Sequence, residues 1–286
     1  MPIDVDRVRG AALSGAIHTW EADDVILYHL GVGAGVPPTD PGELEYVYEA
    51  GLKVLPTFAT IPVFSSMMGI FSLDGLDINP AMILHGEQSI RLAGPIPTAA
   101  TVTNEARVSE VYDKGKGALV LVEVSSIDAS GSVLFTNVAS IFVRGEGGFG
   151  GDSGPEPAKS GPERTPDHSV ASPTLPQQAL MYRLSGDKNP LHADPAFAAF
   201  AGFDRPILHG LCSYGIVCKA VVDTIAGGDV SRVTGFSARF TGVVYPGETL
   251  VTRMWEDDDG WIVEAATSER GTTVISNARL ELSPTP

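Results

Sequence analysis

Tyr182-Arg-Leu-Ser-Gly-Asp187-Lys-Asn189-Pro-Leu-His192 places a carboxylate and an imidazole five residues apart, on a segment broken by Gly186 and Pro190. Thirteen residues beyond His192 begins Arg205-Pro-Ile-Leu-His209-Gly210-Leu-Cys-Ser, which reads as the glycine-marked start of an apolar helix. An acid and a histidine aimed at one spot can move two protons in one event. A helix N-terminus beside them can hold negative charge developing on an oxygen. Together these parts suit adding water to a carbon–carbon double bond next to a carbonyl, or removing it. Taken alone, Ser-Gly-Asp and Asn-Pro are ordinary turn chemistry, and His192 could do no more than satisfy a main-chain carbonyl. The two signals in succession favour the chemical reading.

Such residues need elements to hold them. Leu211, Tyr214, Val217/Cys218, Val221 and Ile225 recur at spacings of three and four, predicting a helix that begins at Gly210. After it come strand-like runs at Thr249–Trp255, Trp261–Thr267 and Thr272–Leu282. The last alternates, with Val274, Ser276, Ala278, Leu280 and Leu282 on one face and Asn277, Arg279 and Glu281 on the other. That pattern marks an antiparallel strand with one buried face.

The first half repeats the plan. Ser89-Ile-Arg91-Leu-Ala-Gly94 parallels Ser237-Ala-Arg239-Phe-Thr-Gly242, and strand-like runs follow at Thr101–Val108, Ala118–Ser126 and Val133–Val143. The counterpart helix falls around Thr57–Ile70, where Pro62 should damage it. Between the halves, residues 145–176 hold seven Gly and six Pro, a linker by composition. The expected organisation is a first repeat over 1–143, a Gly/Pro-rich linker over 144–176 and a second, catalytic repeat over 177–286. Periodicity alone gives an α+β fold with two similar halves.

Composition bounds the function. The 286 residues are 43% hydrophobic and 19% charged, which describes an ordered chain. A net charge of −16 argues against nucleic-acid binding. Residues 180–240 depart from that balance, with six Lys/Arg against five Asp/Glu, so the segment carrying the chemistry is the one able to receive an anionic ligand. No run approaches the ~18 apolar residues of a membrane span. Asp4, Asp6, Arg7 and Arg9 interrupt any signal sequence, and the final Ser-Pro-Thr-Pro is not a peroxisomal address. The expected location is cytoplasmic, with no membrane partner.

Rival motifs fail on context. His192, Asp194 and His209 lack the spacing of a strong zinc site, so no metal is expected. Cys212 and Cys218 lie six apart on the predicted helix, on different faces, and read as reduced packing residues; Cys212 has no better-placed base to make it a nucleophile. Gly31-Val-Gly33-Ala-Gly35 has the wrong spacing for a dinucleotide site. Gly145-Glu-Gly147-Gly-Phe-Gly150 has the right spacing but runs into Asp-Ser-Gly-Pro, with no helix to receive a pyrophosphate. Leu84-His85-Gly86-Glu87 mimics Leu208-His209-Gly210-Leu, yet nothing like the Asp187–His192 segment precedes it. One catalytic set is therefore expected per chain, the first half having lost its copy.

Gly-Asp187-Lys-Asn189-Pro-Leu-His192, followed by Ala-Gly-Phe-Asp-Arg-Pro-Ile-Leu-His209-Gly210, resembles the signature of the R-specific 2-enoyl-CoA hydratases (hydratase 2, MaoC-like). It is closest to the hydratase part of the peroxisomal multifunctional enzyme. Leu30-Gly-Val-Gly-Ala, Leu55-Pro-Thr-Phe, Leu84-His-Gly-Glu-Gln, Phe149-Gly-Gly and Ala238-Arg-Phe fit the same family in order, so the resemblance spans nearly the whole chain.

The resemblance implies a double hotdog, two fused repeats each with an antiparallel sheet around a helix, the first degenerate to admit an acyl chain. It implies hydration of a trans-2-enoyl-CoA to a (3R)-3-hydroxyacyl-CoA. In that reaction Asp187 and His192 move protons, Asn189 orients the pair or the water, and the Gly210 amide binds the thioester oxygen. His85, Gly86 and Lys114 would help hold substrate, with Arg183 and Phe240 as further candidate contacts. Lys114 in Asp-Lys-Gly-Lys-Gly also reads as a plain hairpin turn. Tyr28 and Glu49 match family residues without being expected to act in catalysis. No cofactor is expected, since coenzyme A belongs to the substrate, and a homodimer is the assembly allowed. The rival readings are a 3-hydroxyacyl dehydratase acting on acyl-carrier protein and a non-catalytic acyl-thioester-binding hotdog. A thioesterase on the same fold is opposed by the paired Asp and His.

Overall fold

The computed structural model describes residues 3–76, 83–156, 161–258 and 260–283. In the first half, strand β1 (Ala16–Trp20) precedes β2 (Ile83–Leu92), β3 (Ala100–Asp113), β4 (Gly117–Ile127) and β5 (Val133–Arg144). In the second, β6 (His168–Pro173) precedes β7 (Val233–Phe240), β8 (Thr249–Asp257), β9 (Gly260–Thr267) and β10 (Thr273–Leu282). The first-half helices are α1 (Val5–Val8), α2 (Ala22–Gly31), α3 (Pro41–Val47) and α4 (Thr60–Met67). The second half contributes α5 (Gln178–Tyr182), α6 (Pro195–Phe200) and α7 (Gly210–Ile225).

All ten strands join one sheet in the order β1-β3-β4-β5-β2-β7-β10-β9-β8-β6. Every neighbouring pair is antiparallel. The halves meet at β2 and β7. Ser89 lies opposite Ser237, the residues that the internal repeat equates, and the register runs from Glu87 opposite Arg239 to Arg91 opposite Gly235. An approximate two-fold axis passes through the Ser89–Ser237 pair, so the repeat seen in the sequence is a repeat in space.

The predicted helix is α7, and it is buried on nearly every side rather than along one stripe. Every residue from Leu211 to Cys218 is enclosed whatever its face, including Ser213 and Gly215. A sheet lies on one side and α2 on the other. Gly215 is what allows α2 so close: a Cβ there would meet Val32 Cγ1 at 2.6 Å and the Tyr28 hydroxyl at 2.7 Å. Lys219, in the second half of α7, donates to Glu43 on α3 at 2.6 Å and to Asp223 at 2.8 Å, tying the helical layer together.

The first-half counterpart is a 3-10 turn over Pro56–Ala59, then α4, then a second 3-10 turn over Met68–Ser72. Pro62 is the third residue of α4, inside the first turn, where its missing N–H costs little. The sheet braces this segment with buried amides. Asn137 Nδ2 donates to the Ala59 carbonyl at 3.0 Å and Asn104 Nδ2 to the Pro62 carbonyl at 2.7 Å. Gln88 and Ser126 donate in turn to the two Asn side-chain oxygens.

Three expectations need correction. The segment 144–176 is not all linker, because its residues His168–Pro173 form β6 and pair with β8; residues 157–160 lie outside the described residues. The clean alternation over Thr272–Leu282 is broken. Asn277 has φ of 52° in the left-handed region, the register with β7 shifts between Ser276 and Arg279 and again between Glu281 and Leu282, the register with β9 shifts between Thr273 and Ile275, and the adjacent Val274 and Ile275 are both buried. Leu84-His85-Gly86 is not the structural copy of Leu208-His209-Gly210: it starts β2, whereas the other starts α7. The last residues, 284–286, are likewise outside the description, and among the described residues no helix is long and apolar enough to cross a membrane.

Candidate active site

Asp187 and His192 sit on a short loop whose every bend has a cause. The 3-10 turn Arg183–Ser185 ends at Gly186, whose φ of 135° few other residues adopt. Asp187 Oδ1 then accepts the Asn189 N–H at 3.0 Å, an Asx turn. Asn189 Oδ1 accepts the Leu191 N–H at 3.0 Å and so caps the next 3-10 turn, Pro190–His192. Pro190 starts that turn at no cost in donors. The expected orienting role of Asn189 is thus exerted through the backbone, by capping the turn that carries His192. Arg183 clips the same loop, donating to the Lys188 carbonyl at 2.9 Å. That bond makes it a loop clamp.

His192 is buried and its Nδ1 lies 2.9 Å from the Ile207 carbonyl. A carbonyl only accepts, so Nδ1 carries the hydrogen and Nε2 keeps the lone pair. Burial pushes its pKa below the ordinary histidine value, against the pull of the Asp187 charge, so the ring is uncharged near neutral pH and able to take a proton. Asp187, His192 and His209 each offer an N or O atom within 4.8 Å of the others. The sequence offers the His209 side chain only as a metal ligand. In the structure its ring stacks on that of His192, with centroids 3.7 Å apart and planes tilted by 28°. Lone pairs of nearly parallel rings point alongside one another rather than converging on one ion. The third member of the sequence-level metal set, Asp194, caps α6 by accepting from Ala196 and Phe197.

Gly210 opens α7 and is exposed, so the helix presents first-turn amides that lack intrahelical partners. The Phe240 ring packs against it, 3.4 Å from where a Gly210 Cβ would stand. His85 reaches the same place from the first half: its ring meets Phe240 edge to face at 5.1 Å, and the Asp187 charge acts on it. Desolvation holds the His85 pKa down to about 4, and its Nε2 is shielded with no hydrogen-bond partner among the described residues. Gly86 sits at the bulge between His85 and Glu87 that turns the strand there.

The structure therefore gathers Asp187, His192, Gly210, Phe240 and His85, with Asn189 and Arg183 behind them. Lys114 is elsewhere engaged, its ammonium donating to the Ser153 carbonyl. Tyr28 is a core residue, its hydroxyl donating to Thr57 Oγ1 at 2.9 Å, and Glu49 lies exposed after α3. The glycine-rich loop already holds an anion of its own. Asp113 accepts from the amides of Gly115, Gly148 and Gly150 at 2.7–2.8 Å, so the donors that a pyrophosphate would need are taken. A cleft of about 730 Å³ lined by Leu13, Ile17, Thr103, Glu105 and Arg107 contains none of the chemical residues.

Residues 18–145 match the family described as the MFE-2 hydratase 2 N-terminal domain, and residues 157–278 the MaoC-like domain. The enoyl-CoA hydratase ChsH3 of Mycobacterium tuberculosis is 43% identical over 286 residues, 99% of this chain and 100% of that one. The peroxisomal enoyl-CoA hydratase 2 of Arabidopsis thaliana is 40% identical over 275 residues, covering 91% of this chain and 89% of its own. A MaoC-like dehydratase from Phytophthora capsici superposes with a TM-score of 0.86 at 32% identity, over 98% of both chains. A Mycobacterium tuberculosis protein described as a double hotdog superposes with a TM-score of 0.59 at 13% identity, over 97% of this chain and 96% of that one. With this fold and these two matched segments, the chain belongs to the hydratase 2, MaoC-like family of double-hotdog proteins.

Proposed function

We propose that this protein hydrates trans-2-enoyl-CoA thioesters reversibly to (3R)-3-hydroxyacyl-CoA in fatty-acid or related acyl-CoA metabolism, and is thus a hydro-lyase. The observation that carries this reading is the convergence of an uncharged His192, its Nε2 lone pair free, with the Asp187 carboxyl and the open amides at the head of α7. The Asp187 carboxylate and His192 Nε2 hold one water; its oxygen bonds C3 as His192 takes its proton, the C2=C3 π pair moves onto C2, and the His192 imidazolium returns a proton to C2. The pair ends with as many protons as it began with. The Gly210 amide donates to the thioester oxygen as enolate charge grows, and one such donor is worth on the order of 3 kcal/mol. No cofactor is required for these transfers. Our reading of location stays cytoplasmic, with a peroxisomal compartment as the rival raised by the name of the plant relative.

Because Asp187 and His192 lie on one short loop, water and proton reach the same face of the double bond. The product is expected to be the R alcohol. An assay following loss of enoyl-CoA absorbance, coupled to an S-specific hydroxyacyl-CoA dehydrogenase, should form no NADH; steady NADH would sink the stereochemical claim. Running the same assay on acyl-carrier-protein thioesters separates the hydratase from the dehydratase of fatty-acid synthesis.

His85 stands beside Asp187 and Phe240 and makes none of the loop's hydrogen bonds described above. His85→Ala is expected to raise KM by about tenfold, roughly 1.4 kcal/mol of substrate binding, while kcat changes less than about threefold. A kcat loss matching that of His192→Ala at constant KM would place chemistry on the wrong histidine.

A further inference from the structure

His209 links all three parts of the site while standing outside the proton transfers themselves. Its main chain is the N-cap of α7: the carbonyl accepts from Cys212 at 3.1 Å and Ser213 at 3.2 Å, leaving the Gly210 amide at the open end. Its Nε2 lies 3.2 Å from the Asp187 carbonyl. Its ring lies face to face with His192 at 3.7 Å. The residue is 1% exposed, so these contacts are shielded from water.

The tautomer follows from the partners. The Asp187 carbonyl can only accept, so Nε2 bears the hydrogen and Nδ1 is bare. Nδ1 is buried with no hydrogen-bond partner among the described residues. A protonated ring would need an acceptor there and would place a second cation against His192. Burial first, then the His192 charge, holds the His209 pKa down to about 3, while the Asp187 carbonyl pulls the other way and Arg183 adds to the lowering. The remaining neighbour is Tyr182, whose ring centroid lies 4.9 Å away and whose own ionisation is suppressed by burial. The ring therefore stays neutral, with a fixed N–H on one side and a π face on the other.

We propose that His209 is the positioning residue of the pair: its Nε2–H holds the backbone of Asp187, and its ring is the surface on which His192 lies while it gains and loses a proton. A cation over a neutral π face is stabilised rather than repelled, so the stack tolerates the imidazolium that the reaction forms. Displacement of reacting groups by about 1 Å can cost on the order of 10²-fold in rate, and that sets the size of effect expected when the hold is lost.

This rests on the hydratase reading, and the test separates the two. Wild type must first hydrate an enoyl-CoA; if it does not, the function fails irrespective of His209. Given activity, His209→Ala is expected to lower kcat by about 10²-fold with KM within about threefold, and His209→Gln, whose Nε2 amide can still donate to the Asp187 carbonyl, to recover at least about tenfold of that loss. His209→Phe, keeping a ring but no donor, should fall below the Gln variant and serves if the Ala variant does not fold. A variant-free measurement is the 15N spectrum of histidine-labelled protein. His209 should show the Nε2–H tautomer, uncharged down to about pH 4. An Ala variant within about threefold of wild type, a Gln variant no better than Ala or Phe, or a His209 signal titrating near the ordinary histidine pKa of about 6.5 would each overturn the proposal.

Discussion

Asp187→Asn and His192→Ala are each expected to lower kcat by about 10²–10⁴-fold, the range that a positioned general acid or base supplies. The two act on one water, so the double variant should be scarcely slower than either single one. The fold should survive both changes. Asp187 Oδ1 accepts from the Asn189 amide, which an Asn side chain can also do, and loss of the His192 bond leaves the Ile207 carbonyl short of about 1 kcal/mol. Single-turnover hydration, followed by absorbance and read beside the melting temperature, is the check. Retention of more than about a tenth of kcat in either single variant would contradict the paired role.

Gly215→Val is expected to destabilise the fold strongly. Its first added atom would stand 2.6 Å from Val32 and 2.7 Å from the Tyr28 hydroxyl, both on or just after α2, with both neighbours fully enclosed. Overpacking of that kind costs about 3 kcal/mol, equivalent to a fall in melting temperature of roughly 6–12 °C. Because α7 begins at Gly210, its displacement should also slow catalysis in whatever fraction stays folded. Gly215→Ala should lie between wild type and Val in thermal melts. Variants indistinguishable from wild type would mean that α2 and α7 are not locked at this crossing.

The parts of this protein that can be read from its sequence are those governed by local rules. Asp187 and His192 are legible because Gly186 and Pro190 force the turn between them, and α7 because Leu211, Tyr214 and Val221 keep helical spacing. The strand runs are legible because one sheet face is buried, as in the strict alternation of β4. What cannot be read depends on partners distant in sequence. His168–Pro173 has linker composition and becomes a strand only because β8 offers it an edge. Lys114 is claimed by Ser153. His209 carries a signal, a histidine immediately before a helix-opening glycine, yet its meaning requires knowing that His192 comes to lie against it.

The pairing of β2 with β7 through Ser89 and Ser237 gives this single chain the geometry of two identical subunits meeting across a two-fold axis. In a true pair of identical chains each mutation is written twice, so a change that widens one cavity must be tolerated in both. Here the two sides of the axis are separate stretches of one gene. A helix can be cut down to eight residues between two 3-10 turns on one side while its counterpart keeps sixteen regular residues on the other. Selection can then tune the two sides as independent traits; we propose that the first half admits the acyl chain, and a library built in residues 56–72 is then expected to alter which substrates are accepted while leaving the Asp187–His192 loop untouched.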